Sequence, residues 1–167
     1  MISDPATPSS KPARERLLQA AAELFYDAGI SATGIDAIIQ RAGVAKQSLY
    51  NNFTSKAELV ATYLEHRHAE WLGLYDKRLE KAASPMDGIL AIFDAYRDHA
   101  EFAYEHGFRG CGLLNAAAEL PAGDPGRKAV RKHKEEVEGL LVTHLTGLIP
   151  DDPPRVRQLA VQPVSYT

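Results

Sequence analysis

Apolar residues in this chain recur at intervals of three and four from about residue 17 almost to the end, the repeat of helices that bury one face. Leu17, Leu18, Ala21, Leu24, Phe25 and Ala28 make the first stripe, which Gly29 ends. Ile35, Ile38, Ile39 and Ala42 repeat the spacing over a shorter stretch stopped by Gly43, and Leu49 with Phe53 offers the buried face of a third segment. A fourth helix starts near Lys56, carries Leu59, Val60, Tyr63, Leu64, Trp71, Leu72 and Tyr75, and extends toward Ala82. A fifth runs from Pro85 to about Glu105 with Ile89, Ile92, Phe93, Tyr96, Ala100 and Ala103 inward. A short helix over 113–120 and a longer one over 125–148 follow. No stretch alternates convincingly at period two and no internal repeat is present, so the pattern predicts an all-α protein.

Start signals agree with these boundaries. Thr33 with Asp36, Ser55 with Glu58 and Ser84 with Asp87 have the capping-box spacing, in which a side-chain oxygen satisfies an orphan backbone donor. Pro85 and Pro125 follow Ser84 and Asp124, where a first helical position tolerates a missing amide proton. Residues 1–11 are polar and rich in Pro and Ser and read as a flexible arm, without the apolar core of a secretory signal.

Composition narrows the class. Over 167 residues, 45% hydrophobic and 25% charged, the chain is ordinary for a globular protein. The lone Cys111 excludes an internal disulfide and a multi-cysteine zinc site, and no apolar run reaches the roughly 18 residues that span a bilayer. These features suit a cytoplasmic protein that does not enter a membrane. A formal charge of −3 argues against non-specific coating of nucleic acid, but a local patch escapes the average.

Such a patch lies within residues 35–56, IDAIIQRAGVAKQSLYNNFTSK. Between Asp36 and Glu58 there is no acid, while Arg41, Lys46 and Lys56 are present. Two short helices meet at Ala42-Gly43-Val44-Ala45, a helix-turn-helix arrangement that would set its second helix in a DNA major groove. Lys46 with Tyr50 and Gln47 with Asn51 fall on faces other than that of Leu49 and Phe53. Lys suits phosphate or guanine, and Gln and Asn suit adenine edges. Spacing alone leaves the bland alternative open: a Lys/Gln/Asn face is usually just solvated.

The stretch RERLLQAAAELFYDAGISATGIDAIIQRAGVAKQSLYNNFTSKAELVATYLE resembles the DNA-binding domain of TetR-family transcriptional regulators. The carrying motifs are AAxxLFxxxG, TGIDAII, AGVAK and LYNNFxSKxEL, over about residues 14–65. The resemblance implies a three-helix head over 12–70, with the helix-turn-helix at about 35–53, and a helical ligand-binding and dimerisation domain over 71–167. It implies DNA contacts from Lys46, Gln47, Ser48, Tyr50 and Asn51, with Thr33 and Lys56 clamping phosphates; Arg41 joins them through its charge. It further implies a homodimer on a palindromic double-stranded operator and a small-molecule effector that releases a repressor from it. Asn51 and Asn52 stand where family members often carry His or Tyr, so base preference does not transfer.

The second half resembles family regulatory domains less sharply, with GFRGCGLLNAAAELP as its most similar stretch. Candidate pocket residues are Trp71, Tyr75, Phe93, Tyr96, Phe102, Cys111, Leu114 and Asn115; aromatics at helical spacing are also the ordinary content of a core. Asn115 reads either as a buried amide or as a helix cap. Cys111 reads as structural, since a sensor thiol needs exposure and a lowered pKa. His66 and His68 are two apart and point away from each other, and His99 and His106 lie two turns apart, so the histidines read as surface or packing residues and no metal or cofactor is expected. An enzyme built on Cys111 with His106 or His133 lacks any readable base–orienter spacing, so no catalytic role is expected.

At the end, Asp152-Asp-Pro-Pro opens a last helix with Val156, Leu159 and Ala160 inward, which Pro163 should stop after about two turns. Beside the family pattern the C-terminal part looks shortened, where the dimer helices belong. The alternative reading is therefore a small-molecule-binding or interaction protein that has lost dimer-dependent operator binding.

Overall fold

The computed structural model describes residues 11–101, 107 and 109–165, and among these it places eight helices. α1 (Ala13–Ala28), α2 (Ile35–Ala42) and α3 (Lys46–Asn52) form the head. α4 (Lys56–Leu79) leaves the head and packs against α5 (Pro85–Glu101) and α7 (Pro125–Leu148). The short α6 (Gly112–Glu119) lies against α4 and α7, and α8 (Pro153–Ser165) packs along α7. The arm read over residues 1–11, Lys11 apart, lies outside the described residues, as do Phe102, Ala103, Glu105 and His106.

Caps set these boundaries. Ser55 Oγ accepts from the Glu58 amide at 3.1 Å, while the Glu58 carboxylate accepts from the amide and hydroxyl of Thr54. Ser84 and Asp87 close the same kind of box, with the Asp87 amide donating to Ser84 Oγ at 3.2 Å. The hydrogen bonds from Ser84 and Ala83 hold the Asp87 carboxyl below its usual range. Asp124 caps the Gly126 amide with Pro125 at the first position. The box expected at Thr33 and Asp36 does not form. Gly34 occupies the cap of α2 without a side-chain bond, because the Thr33 hydroxyl is turned inward.

Three further expectations are corrected. α4 stops at Leu79 rather than near Ala82. Phe93, expected inward, is 49% exposed on the side of α5 that also shows Met86 and Leu90; the buried line is Ala91, Ile92, Ala95 and His99. Pro163 lies inside α8 and does not stop it. Its missing amide proton forfeits one bond two residues before the helix ends, a small loss at that position.

Two apolar clusters share α4 and α7. The first joins Leu17, Ile38, Leu49, Phe53, Leu59 and Leu64 to Leu113, Ala116, Ala129 and Val130 from α6 and the start of α7. The second gathers Trp71, Tyr75, Ala91, Ile92, Val137, Leu141 and Ala160. Between them in sequence along α4 come the buried Arg67 and His68, and along α7 the buried His133. The core of the head thus extends into α6 and α7, so a displacement of those helices is felt by the head.

Candidate nucleic-acid interface

The turn between α2 and α3 is built as glycine allows. Gly43 has φ 62°, and the amides of Gly43 and Val44 donate to the carbonyls of Gln40 and Ile39 at 3.1 and 3.2 Å. Arg16 of α1 donates to the Ala42 carbonyl at 2.6 Å and to the Gly43 carbonyl at 2.5 Å, a charged clasp across the end of α2. From the other side, Leu49 and Phe53 sink α3 into the core at 0% and 1% exposure. Replacing Arg16 by Gln should lower stability by about 1–2 kcal/mol. Urea denaturation reads the change, and an unmoved midpoint would mean that the clasp contributes nothing.

With one face of α3 buried, the others present Lys46, Gln47, Tyr50 and Asn51 to solvent. Tyr50 is 48% exposed. Gln47 Nε2 donates to Asn51 Oδ1 at 3.0 Å, which aligns the two amides along one face. Lys46 Nζ lies 3.2 Å from Asp36, and both side chains are well exposed. Such an exposed pair is worth at most about 1 kcal/mol and holds Lys46 only weakly.

The remaining sequence-selected residues divide. Ser48 is half-buried and its carbonyl accepts from Asn52 Nδ2 at 2.7 Å. Lys56, half-buried at the start of α4, donates to the Ile30 carbonyl at 2.6 Å; its other ammonium protons stay available. Arg41 is drawn to Glu23 of α1, with Nε donating at 2.8 Å. Thr33 is corrected: it is 3% exposed and its hydroxyl sits 2.6 Å from the Gly29 carbonyl, so its side chain locks the α1–α2 loop rather than clamping a phosphate. Two cations were not singled out from sequence. Arg16 forms the clasp above, and Arg14 lies over the Phe53 ring at 5.0 Å, close enough to Glu58 to lower its carboxyl further after the Thr54 hydrogen bonds. Only their positions near the start of an amphipathic helix hinted at either.

The pocket candidates scatter. Asn115 is exposed and its Nδ2 donates to the Arg109 carbonyl at 2.8 Å, tying down the preceding loop instead of lining a cavity. Cys111 is half-buried and precedes α6 as its cap residue, its carbonyl accepting from the Leu114 and Asn115 amides. The glycines around it have structural causes. Gly110 has φ 89°, and a Cβ on Gly112 would stand 3.1 Å from the Tyr63 hydroxyl. Phe93 faces outward and Phe102 is outside the described residues.

Trp71, Tyr75 and Tyr96 do converge, on histidines that spacing treated as incidental. Trp71 stacks on Tyr75 at 5.8 Å and meets His133 edge-on at 5.2 Å. His68 and His133 contact each other through Nδ1 atoms 2.9 Å apart; His68 Nε2 lies 2.9 Å from Glu136, and His133 Nε2 lies 2.8 Å from the Tyr96 hydroxyl. With both rings neutral one direction satisfies every group. Tyr96 donates to His133, His133 Nδ1–H to His68, and His68 Nε2–H to the Glu136 carboxylate. Burial first, and then the neighbouring His68, His99 and Lys134, pushes His133 down to about 4, while burial pushes the Tyr96 phenol up. Among the described residues no cluster of three or more His, Cys, Asp or Glu could hold a metal ion, and no helix is long and apolar enough to cross a membrane.

A chain whose described residues form only helices, with a glycine turn clasped between α2 and an exposed, acid-free α3, is a helix-turn-helix protein with a helical body behind it. The comparisons make the class specific. Residues 17–63 match the profile of the bacterial regulatory proteins, tetR family. The chain superposes on a TetR-type transcriptional regulator from Streptomyces avermitilis with TM-score 0.78 at 30% identity, covering 93% of this chain and 82% of that one. It superposes on a TetR-family regulator from Streptomyces coelicolor with TM-score 0.72 at 26% identity, covering 92% and 93%. The chain belongs to the TetR family. Among curated relatives it is 39% identical over 92 residues to the transcriptional repressor KstR2 of Mycolicibacterium smegmatis, matching 54% of this chain and 43% of that protein. It is also 49% identical over 88 residues to the transcriptional activator FasR of the same organism, matching 53% and 40%. The match thus spans about two fifths of the length of those relatives.

Proposed function

We propose that this chain is a DNA-binding transcriptional regulator that reads a major groove with α3, and that it acts as a repressor released by a small-molecule effector. The observation that carries the reading is the exposed face of Lys46, Gln47, Tyr50 and Asn51, held over a clasped glycine turn within an acid-free stretch of sequence. Phosphate contacts position such a helix, and amide side chains read base edges. Lys56 and Arg14 add cations at the starts of α4 and α1. A homodimer would place two such helices one turn of DNA apart on a palindromic operator, roughly 34 Å. Ligand would favour a conformation whose heads no longer match that spacing.

The test selects DNA fragments from a random pool with the full chain and measures variants on the selected sequence. Tyr50→Ala should weaken binding roughly tenfold while its melting temperature stays that of the parent. Lys46→Ala should reduce the slope of log affinity against log salt by about 0.9, as the loss of one phosphate contact requires. No enriched sequence from the pool, with a strict monomer by light scattering, would favour a ligand-binding protein without operator recognition.

A further inference from the structure

We propose that the groove between α6, the first half of α7 and the end of α8 binds an amphipathic anion, a phosphate or carboxylate carried on an apolar body. The start of α7 reads Pro-Gly-Arg-Lys-Ala-Val-Arg-Lys-His-Lys over residues 125–134, five cations without an acid. Arg127, Lys128, Arg131, Lys132 and Lys134 all line one groove of about 1020 Å³, ample for a small molecule. The same groove is lined by Leu114, Ala117, Val130 and Val164. It therefore offers both halves of an amphiphile a surface.

The cations are not committed to carboxylates. Among the described residues none of the five is in an ion pair, whereas Arg41, Lys46, Arg78 and Arg97 are all paired with carboxylates. Glu135 and Glu138 stand four residues beyond Arg131 and Lys134, yet neither pair closes to ion-pair distance. Asp124 is occupied in capping the Gly126 amide. Arg127 also donates from one terminal guanidinium nitrogen to the Leu120 carbonyl at 3.0 Å, just past the end of α6, which leaves its other N–H groups available. The cations thus concentrate over 127–134, flanked by Asp124 before them and by Glu135 and Glu138 after them, so the groove carries five cations against three carboxylates. Burying an apolar body beside such cations suits an amphiphile; a phosphodiester backbone would leave the partly exposed Leu114 and Ala117 without an apolar partner from the ligand.

The position also gives the site leverage. α6 ends at Glu119, whose carboxylate accepts the Ser31 amide at 2.7 Å in the α1–α2 loop. A ligand wedged against α6 would bear on the head through that bond. This consequence rests on the regulatory reading above; the binding itself does not.

The probe is decyl phosphate, titrated calorimetrically into the full chain below its micelle concentration, with inorganic phosphate and decanol in parallel. Saturable binding of one decyl phosphate per chain is expected. It should weaken roughly tenfold or more in the combined variant Lys128→Gln, Arg131→Gln, Lys132→Gln, whose residues are exposed. The same loss is expected for each half of the probe alone, and no loss for Leu90→Ser on the exposed face of α5. Equal affinity of the combined variant, or inorganic phosphate binding as well as decyl phosphate, would overturn the proposal. So would a combined variant that loses DNA affinity with a shallower salt slope while decyl phosphate fails to bind the parent, which would make the groove a DNA contact.

Discussion

Replacing Trp71 by Ala should cost about 3–5 kcal/mol, enough to unfold much of a chain of ordinary stability. Trp71 is fully buried and lies in the cluster that joins α4 to α5, α7 and α8. Its ring contacts Tyr75, Tyr96 and His133, so truncation opens a cavity walled by stiff rings that collapse poorly into it. Trp71→Phe should behave differently. The indole Nε1 has no hydrogen-bond partner among the described residues, so removing that buried donor returns part of its desolvation cost. The Phe variant should therefore lose no more than about 1–2 kcal/mol. Chemical denaturation separates the two; a Phe variant as unstable as the Ala variant would mean that the indole donor is satisfied in solution.

Acidification should destabilise the chain well before its carboxylates titrate. His133 is held neutral in the fold, pushed down to about 4 from an ordinary value of 6.5 by burial and by His68, His99 and Lys134. Above pH 6.5 the folded and unfolded chains both carry it neutral. Between 6.5 and 4 the unfolded chain takes up a proton that the folded chain refuses, so stability falls as pH falls, by about 3 kcal/mol in all. Below 4 this contribution stays lost. His99, also lowered chiefly by burial, adds in the same direction. Carboxylates held low by hydrogen bonds, such as Asp87 and Glu58, lose their contributions only as pH falls below their ordinary values near 4. The window from 6.5 to 4.5 thus isolates the histidines. His133→Leu should flatten the curve there, even though it strands the Tyr96 hydroxyl and lowers stability at neutral pH. A variant with an unchanged acid slope would remove His133 as the cause.

The two expectations meet in one place. Trp71 and His133 touch, and the chain from Tyr96 through His133 and His68 to Glu136 connects α5, α7 and α4. It falls where α4 and α7 pass from the cluster of the head to the cluster of the body. A polar layer of this kind is costly if any member lacks a partner, so it restricts how the two packed regions can shift against each other.

Local spacing placed α1 and α2 through apolar stripes that end at Gly29 and Gly43, and α3 through the Leu49–Phe53 spacing, while Asp124-Pro125 marked the start of α7. It also placed Leu49 and Phe53 inward, leaving Lys46, Gln47, Tyr50 and Asn51 outward, since faces of a short helix are decided by its period. What it could not decide involved residues far apart in the chain. Thr33 has the composition of a cap but is turned inward by the Gly29 carbonyl, and Phe93 has helical spacing yet no helix opposite it among the described residues. Arg16 meets the α2 turn from 26 residues away, and His68 meets His133 across 65. Periodicity reports which side of a helix is apolar. Which partner that side meets, and whether a buried imidazole finds one, depends on how the helices are packed, and only the tertiary structure decides it.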